Sequence, residues 1–262
     1  MHCDLSGRAA WISGGTEGIG LAIARGMAEA GARVALCGHL PDKAEEAAET
    51  LRSEGHEAVA APCDVAESAA VKASVAAAVE AFGRLDIAVA NAGINGTWAP
   101  VEDITEDEWR RTIDVNLTGT FHAAKHAAPH LKKGGGSFLI VASVNGTRVF
   151  SNTGASAYAS SKAAQLAFGK MLALEWAKWK VRVNVICPGA VDTGIHDKTE
   201  RRGLDEIRTP VEFPEGNMPA IDDLMGDPAK VASLAVFLAS DHASLITGTP
   251  VWVDAAESLL QG

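Results

Sequence analysis

Short apolar segments alternate with longer, alanine-rich segments along nearly the whole chain. The apolar segments, such as 87–90 and 181–186, have the length and composition of strands that are buried on both faces. The alanine-rich segments between them have the length of helices. Strict alternation of this kind predicts an α/β fold, in which a doubly wound parallel sheet carries helices on both of its faces.

The predicted elements follow one another without a linker or an internal repeat, so we expect a single domain over residues 1–262. Strands are predicted at 8–13, 33–37, 58–61, 87–90, 137–142, 181–186 and 250–253. Helices are predicted at 18–30, 41–54, 68–82, 106–132, 155–178 and 228–238. One irregular segment mixes Pro, Gly and charged residues, and we expect its residues 193–226 to form a substrate lid, because long loops in compact domains are usually functional.

The charge balance excludes several classes of partner. The formal net charge is −10 and there is no long basic run, which argues against nucleic acid and gives no reason to expect binding to an anionic membrane.

The four cysteines are scattered and form no Cys-x-x-Cys pair, so we expect free thiols and no metal site. The first residues lack the features of a signal peptide, and the expected location is cytoplasmic.

A glycine-rich loop connects the first predicted strand to the first predicted helix. Residues 13–20 read SGGTEGIG, a Gly-x-x-x-Gly-x-Gly spacing. Glycines at such a turn let a pyrophosphate approach the backbone and the positive end of the helix. The alternative is an ordinary glycine-rich turn, but this position in a doubly wound fold favours a nucleotide site of the Rossmann type.

Three further loops follow predicted strands at the edge where open α/β sheets bind ligands. Residues 63–65 read CDV, and Asp64 is a candidate acceptor for an adenine amine, although an Asp before a helix is also common. Residues 91–93 read NAG, and their small side chains permit close approach of a ligand to the backbone. Residues 188–193 read PGAVDT and follow the sixth strand.

The only tyrosine in the chain, Tyr158, lies four residues before Lys162. A helix brings positions i and i+4 onto one face, so the phenol and the ammonium can point at one spot. A neighbouring cation favours the ionised phenol, which prepares it to exchange a proton near neutral pH. The pair is weak alone, because many helices carry it by chance.

Together these residues closely resemble the short-chain dehydrogenase/reductase family, in its compact single-domain branch, from about Leu5 to Asp254. The resemblance implies a nicotinamide-dependent oxidoreductase acting on an alcohol or a carbonyl compound. It implies that Tyr158 is the general acid and base, that Ser143 binds the same substrate oxygen, and that Lys162 lowers the pKa of Tyr158 and holds the nicotinamide ribose. Asn116 would hold a water in the proton relay. The expected cofactor-binding residues are Ser13, Gly14, Glu17, Gly18, Ile19, Gly20, His39, Asp64, Val65, Asn91, Ala92, Gly93, Tyr158, Lys162, Pro188, Gly189, Val191 and Thr193.

The chain departs from the family pattern at three places. Ser13 stands where the family usually has Thr, and the hydroxyl is kept. The loop between Ser143 and Tyr158 is two residues longer than is commonest. Ala255 and Ala256 replace the usual pair of glycines after the last strand. Alanine disfavours the positive φ angles that glycine permits, so the conformation of this turn is not predicted.

The cofactor is expected to be NAD(H) or NADP(H), with a lean towards NAD. His39 lies where NADP-using relatives often place Arg, and neither Gly38 nor His39 is acidic. Glu17 lies where some of those relatives place a basic residue, and its carboxylate would repel a 2′-phosphate by about 1 kcal/mol or more.

The substrate is expected to be a small molecule. Its predicted contacts, which mix apolar and amide side chains, are Asn95, Asn145, Phe150, Asn152 and His196. Four basic residues occur in the predicted lid, and they form either a solvated face or a site for an acidic partner: Lys198, Arg201, Arg202 and Arg208. Small residues on the helices at 106–132 and 155–178 allow close helix contact, and the family resemblance implies that these helices form the interface of a homotetramer or a homodimer.

The function that the sequence favours is hydride transfer between a nicotinamide cofactor and a secondary alcohol or ketone. The alternatives are a non-catalytic nucleotide-binding regulator on the same fold, or a ketoacyl reductase acting on a carrier-bound substrate. A regulator has no need of Ser143, Tyr158, Lys162 and Asn116 together.

Overall fold

A computed structural model describes residues 3–195, 197–209 and 226–260. Within these ranges the main sheet has seven strands, all parallel, in the order β3-β2-β1-β4-β6-β7-β9. The strands are β1 Ala9–Ser13, β2 Arg33–Cys37, β3 Ala58–Ala60, β4 Ile87–Ala90, β6 Gly136–Val141, β7 Val181–Pro188 and β9 Pro250–Val253. Two short strands, β5 Thr97–Trp98 and β8 Glu200–Arg201, pair with each other outside it.

Helices cover both faces of the sheet, which confirms the predicted doubly wound Rossmann-type fold. They are α1 Gly18–Glu29, α2 Pro41–Ser53, α3 Ser68–Phe82, α4 Glu106–Ile113, α5 Gly119–Gly134, α6 Ser156–Trp176, α7 Leu204–Ile207, α8 Pro228–Ala239 and α9 Glu257–Leu260. Alternate residues of each strand point to opposite faces, so Trp11 belongs to one buried cluster and Ile12 to the other. Successive strands are added on one side of β1 up to β3 and on its other side from β4 onwards. The ligand crevice of such folds opens at this switch between β1 and β4.

Local signals explain the helix boundaries. Thr105 and Glu108 form a capping box at the start of α4, in which each side chain binds the backbone N–H of the other residue. Pro41 opens α2, where its missing N–H costs nothing, and Gly83 ends α3 with a φ of 74°.

The predicted helix at 106–132 is divided in the structure. A single π-helical turn, Asp114–Thr118, separates α4 from α5. Such turns insert one residue into the helical ladder and often occur at functional sites. Here the turn carries Asn116, which is fully buried and points towards the loop after β4.

The predicted lid is only partly irregular. Its described part contains β8 and α7, and the Arg202 guanidinium binds both carboxylate oxygens of Glu108 on α4, at 2.7 and 2.9 Å. The described residues of this segment are therefore not irregular throughout, and the lid stays a prediction. Residue 196 and residues 210–225 lie outside the described ranges.

The turn after β9 keeps the shape that glycines would give it. Ala255 and Ala256 have φ angles of 45° and 65°. Left-handed backbone costs a residue with a Cβ roughly 1–2 kcal/mol, so this turn is strained. Among the described residues, no helix combines the length and the apolar character needed to cross a membrane.

Candidate active site

A cavity of about 800 Å³ lies at the carboxyl ends of the central strands. Its walls come from the glycine loop, from the loops after β2, β4, β6 and β7, and from α6. Both catalytic candidates Tyr158 and Lys162 face it, together with Ser143. The structure therefore brings together at one place residues that lie far apart in the sequence.

The glycine loop has no room for side chains at two positions. A Cβ on Gly14 would lie 2.8 Å from the Nδ2 atom of Asn91, and one on Gly20 would overlap the oxygen of Gly14. Gly14 and Gly18 also have positive φ angles, of 62° and 53°. The N-terminus of α1 therefore opens on the cavity with bare backbone, which is what an anionic pyrophosphate requires.

Ser13 and Asn91 join the first and fourth loops. The Ser13 hydroxyl accepts hydrogen bonds from the backbone N–H of Asn91 and Ala92, at 3.0 and 3.1 Å, and donates to the oxygen of Val89. The Asn91 amide donates in return to the oxygens of Ser13 and Gly14. Ser13 is 2% exposed and, like Gly20, does not line the cavity, so the structure makes these two predicted cofactor residues supports of the loop.

The wall beyond β2 and β3 includes the predicted residues His39, Asp64 and Val65. One oxygen of Asp64 accepts from the backbone of Ala66 at 2.9 Å, and the other faces Arg111 at 3.4 Å. Several further residues of this wall were not predicted, and they reach it from a loop, a helix or a strand end; they include Thr16, Cys37, Leu40, Lys43 and Arg111.

Glu17 is paired with a cation. Its carboxylate forms a salt bridge of 2.5 Å with Lys198 in the predicted lid. The repulsion that we expected between Glu17 and a 2′-phosphate is therefore reduced, because Lys198 offsets the charge. Thr193 also approaches the glycine loop, and a Cβ on Gly18 would lie 3.1 Å from the Cβ of Thr193.

Ser143 and Tyr158 lie side by side next to the cavity. The Ser143 hydroxyl accepts from the backbone N–H of Asn145 at 3.1 Å, which fixes its position. Burial raises the pKa of Tyr158 above its ordinary value, and the Ser143 hydroxyl beside the phenol opposes the shift. Desolvation is the larger effect, so the net shift is upward, and the lowering of this pKa by Lys162 stays a prediction.

Lys162 is buried, with 4% of its surface exposed. Its ammonium donates a hydrogen bond of 3.0 Å to the oxygen of Val141 at the end of β6. Burial lowers the pKa of Lys162 to about 8. Gly93 lies close by, and a Cβ there would lie 3.3 Å from both the Lys162 Nζ and the Asn116 Oδ1.

Asn116 is held by hydrogen bonds on every side. Its side-chain amide exchanges two bonds with the backbone of Ile94, at 2.8 and 2.9 Å, and also donates to Ser161 at 3.0 Å. Its main-chain oxygen accepts from Thr120 and from Gln165. Gln165 is fully buried on α6, and the sequence analysis missed it, because a Gln on a helix gives no signal of its partners.

The loop after β7 forms the remaining wall. Pro188, Gly189, Val191 and Thr193 line the cavity as predicted. The carboxylate of Glu257 in α9 accepts a hydrogen bond of 2.8 Å from the backbone of Ala190, which ties the C-terminal turn to this loop.

The predicted substrate contacts fall into three groups. Asn95, Asn145 and Asn152 line the cavity. Phe150 does not, and it is 67% exposed, so its prediction was wrong: the loop turns its side chain outward. His196 lies outside the described residues.

Comparison with known proteins places this geometry among oxidoreductases. A family model described as enoyl-(acyl carrier protein) reductase matches residues 14–255. The oxidoreductase UcpA of Salmonella typhimurium is 37% identical over 258 residues, covering 97% of this chain and 96% of the relative.

Two solved structures extend the comparison. A 3-ketoacyl-ACP reductase from Sinorhizobium meliloti 1021 has a TM-score of 0.92 and 44% identity, covering 96% of this chain and 99% of that one. A 3-ketoacyl-(acyl-carrier-protein) reductase from Brucella melitensis complexed with NADH has a TM-score of 0.84 and 30% identity, covering 97% and 100%.

Proposed function

The chain belongs to the short-chain dehydrogenase/reductase family, and from this premise we propose that it transfers a hydride between a nicotinamide cofactor and a secondary alcohol or ketone. The observation that carries the proposal is the meeting of Ser143, Tyr158 and Lys162 at the wall of a cavity that the glycine loop also lines. A site that only bound a nucleotide would not need a phenol and a hydroxyl side by side in the wall of its cavity.

The cavity fits a dinucleotide. Bare backbone at Gly14 and Gly18 would receive the pyrophosphate, and Asp64 and Val65 would contact the adenine. Lys162 would hold the ribose next to the reacting ring, and Thr193 would bind its carboxamide. The nicotinamide supplies or accepts the hydride when bound; the protein supplies orientation and proton transfer.

Tyr158 is the proposed acid and base. In reduction its phenol gives a proton to the substrate oxygen, and a raised pKa keeps that proton in place at neutral pH. Ser143 donates a second hydrogen bond to the same oxygen with its hydroxyl proton, while it accepts from the N–H of Asn145. Lys162 stabilises negative charge on the phenol through space, and Asn116 fixes the loop after β4 beside it.

The proposed substrate is small and uncharged. Asn145 and Asn152 line the catalytic end of the cavity, and within the described residues their side chains have no protein partner. Amides left open in this way suit hydroxyl or carbonyl groups of a substrate. The Asn95 amide is fixed instead by Thr199 at 2.7 Å. Two charged groups that line the cavity, Glu17 and Lys198, are paired with each other.

NAD(H) is the proposed cofactor, with NADP(H) as the alternative. The Brucella relative was solved with NADH, which supports this choice by similarity. No arginine occupies the end of β2, where His39 and Gly38 line the cavity. Lys43 and Lys198 weaken the preference, because both cations face the same half of the cavity.

Reduction of a carrier-bound ketoacyl chain is the second candidate, and the 44% identity to a 3-ketoacyl-ACP reductase favours it. An acidic carrier needs free basic residues around the entrance. In this chain Lys198 is paired with Glu17, and Arg202 with Glu108 and Glu200. Arg201 stacks over the Trp98 ring, at 5.4 Å. These internal contacts occupy most of the predicted basic cluster, which favours a free small molecule over a carrier.

A homo-oligomer in the cytoplasm remains the proposed form of the enzyme, with the residues from 193 to 226 as a lid inside one domain. Three large apolar side chains on α5 and α6 are exposed and would be covered by a second copy: Phe121, Met171 and Leu174.

The proposal is tested by assaying a panel of ketones and alcohols with NADH, NADPH and their oxidised forms, followed at 340 nm. The panel includes polyhydroxylated, plain aliphatic and thioester-linked 3-keto compounds. We expect turnover of small neutral substrates, and poor turnover of the thioesters and of acidic compounds. Tight binding of a dinucleotide with no turnover across the panel would favour the regulator instead.

A further inference from the structure

Two buried thiols lie against each other in the wall of the cavity. The Sγ atoms of Cys37 and Cys63 are 2.7 Å apart, and both cysteines are free. Cys37 is the last residue of β2, and Cys63 lies shortly after the neighbouring strand β3. Adjacent parallel strands therefore bring the two sulfurs together, close to the separation of about 2.05 Å that a disulfide requires.

Both cysteines belong to a buried apolar cluster on one face of the sheet. The Ser74 hydroxyl on α3 donates to the oxygen of Ala61, accepts from the Trp11 indole at 2.8 Å, and acts to lower the pKa of both thiols. Cys37 is fully buried and Cys63 is 7% exposed, and both line the cavity. A reagent of the size of water can reach Cys63, whereas a protein partner cannot.

The two thiols differ in reactivity. Their mutual hydrogen bond lowers the pKa of Cys63 and raises that of Cys37. Cys63 is the member that a small reagent in the cavity can reach, and the Cys37 sulfur, 2.7 Å away, is placed to attack it once it is oxidised. Reactive and resolving cysteines of redox-sensitive proteins divide the work in the same way.

We propose that Cys37 and Cys63 are a modification site for peroxides, which join the two sulfurs in a disulfide and thereby weaken binding of the dinucleotide. The Cys63 thiolate attacks hydrogen peroxide, forms a sulfenic acid and releases hydroxide. The Cys37 thiol then attacks that sulfur, a second hydroxide leaves, and protons from the two thiols convert both hydroxides to water. The dithiol loses two electrons and the peroxide gains them.

The bond would act on the site through the residues next to each cysteine. Gly38 and His39 come directly after Cys37, whereas Asp64 and Val65 come directly after Cys63, and all four line the cavity. The two segments are already joined by a hydrogen bond of 3.0 Å from the Cys63 N–H to the Gly38 oxygen. Drawing the sulfurs together moves both walls where the proposed function places the adenosine, on which this inference rests.

The test oxidises the purified protein with hydrogen peroxide, with and without saturating NAD(H), and maps the cysteines by peptide mass spectrometry. We expect a linked pair of peptides carrying Cys37 and Cys63, slower linkage when the dinucleotide is present, and recovery with dithiothreitol. Dinucleotide binding, followed by quenching of protein fluorescence, should be at least fivefold weaker after oxidation.

Controls separate this inference from the proposed function. Cys63→Ala and Cys37→Ala should lose the response to peroxide, measured as the ratio of dinucleotide affinities of the treated and untreated forms of each variant, whereas Cys3→Ser should keep it. If peroxide gives no linked peptide, or if the linked protein binds the dinucleotide as well as the reduced one, the inference is overturned. If the reduced wild-type protein binds no dinucleotide at all, the proposed function fails instead.

Discussion

The Nζ atom of Lys162 lies 5.6 Å from the centre of the Tyr158 ring. The ammonium bonds to the oxygen of Val141, so it acts on the phenol through space. A helix spacing of four residues produces this relationship, as expected. Holding a cation here is unfavourable, since burial lowers the pKa of Lys162 to about 8. The buried ammonium therefore lowers the stability of the fold at a position that the proposed function requires.

Lys162→Met should stabilise the fold at neutral pH while abolishing turnover. The folded pKa of Lys162 lies below the value of 10.5 for a free lysine, so between about pH 8 and 10.5 the unfolded chain binds more protons and stability rises with pH. This pKa shift corresponds to a destabilisation of about 3 kcal/mol at pH 7. The variant recovers only part of it, because it also loses the hydrogen bond to Val141. We expect a gain on the order of 1–2 kcal/mol in the free energy of unfolding at pH 7, shrinking above pH 8. A gain that did not depend on pH would contradict this origin.

Tyr158→Phe should bind the dinucleotide within about threefold of wild type and lose turnover by about 10²–10⁴-fold, because only the hydroxyl that exchanges the proton is removed. Single-turnover kinetics and binding by fluorescence measure the two effects separately. Ser143→Ala serves as the matched change, since it removes the second donor to the same oxygen and leaves the phenol. A Phe variant that kept a tenth of the rate would exclude Tyr158 as the acid and base.

Most of the fold could be predicted from the sequence because its signals are local. Each main strand and helix was located within a few residues, since apolar runs and glycine or proline boundaries mark them. The π-helical turn at Asn116 was not predicted, because the bonds that hold it come from Ile94 and Gln165, far away in sequence. The pairing of β5 with β8 was not predicted either. Each strand has only two residues, and the two strands lie about 100 positions apart in the sequence, so no local pattern marks them.

The candidate site, like the fold, has residues that the sequence predicts and residues that it does not. Loops at strand ends placed Gly14, Asp64 and Gly189 in the cavity, because parallel strands end at one edge of the sheet. Lys43 and Arg111 reach the cavity from helices, and which face of a helix turns inward depends on packing. The direction of Phe150 depends on the conformation of a long loop, which a sequence does not specify.

Cofactor choice should respond to changes at the end of β2. His39→Arg should improve the catalytic efficiency with NADP(H) relative to NAD(H) at least threefold, because a guanidinium binds a phosphate through two donors. Gly38→Asp should favour NAD(H), but a Cβ there would lie 2.6 Å from the Thr16 Cγ2. We therefore expect Gly38→Asp to act cleanly only together with Thr16→Ala. If neither change moves the ratio of efficiencies threefold, this strand end does not select the cofactor.

The strained turn after β9 should be relieved by glycine. Ala256 has a φ of 65°, which costs roughly 1–2 kcal/mol for a residue with a Cβ, while glycine loses roughly 0.5–1 kcal/mol of backbone entropy. Ala256→Gly should therefore raise the free energy of unfolding by about 0.5 kcal/mol in urea titrations. Ala76→Gly, at an exposed helical position on α3, should lower it by about 1 kcal/mol. Equal destabilisation by both changes would show that the turn is not strained.

Arg202 should act as the tether of the predicted lid. Its guanidinium binds both oxygens of Glu108 and the main-chain oxygen of Asp103, at 2.7 to 2.9 Å. The contact holds the pKa of Glu108 well below its usual range, so the ion pair persists at neutral and mildly acidic pH. Arg202→Met should speed hydrogen exchange over residues 197–209 and raise KM for the substrate several-fold, because the cavity then closes less often.

The matched change is Arg208→Met, which removes an exposed guanidinium from the same segment. It should alter neither the exchange nor KM by more than about twofold, since a solvated charge contributes little. Glu108→Gln should reproduce the effect of Arg202→Met in part, because the amide oxygen still accepts one of the two bonds. If exchange over 197–209 is the same in Arg202→Met and in wild type, with and without the dinucleotide and substrate, this segment is held by other contacts and Arg202 does not control the lid.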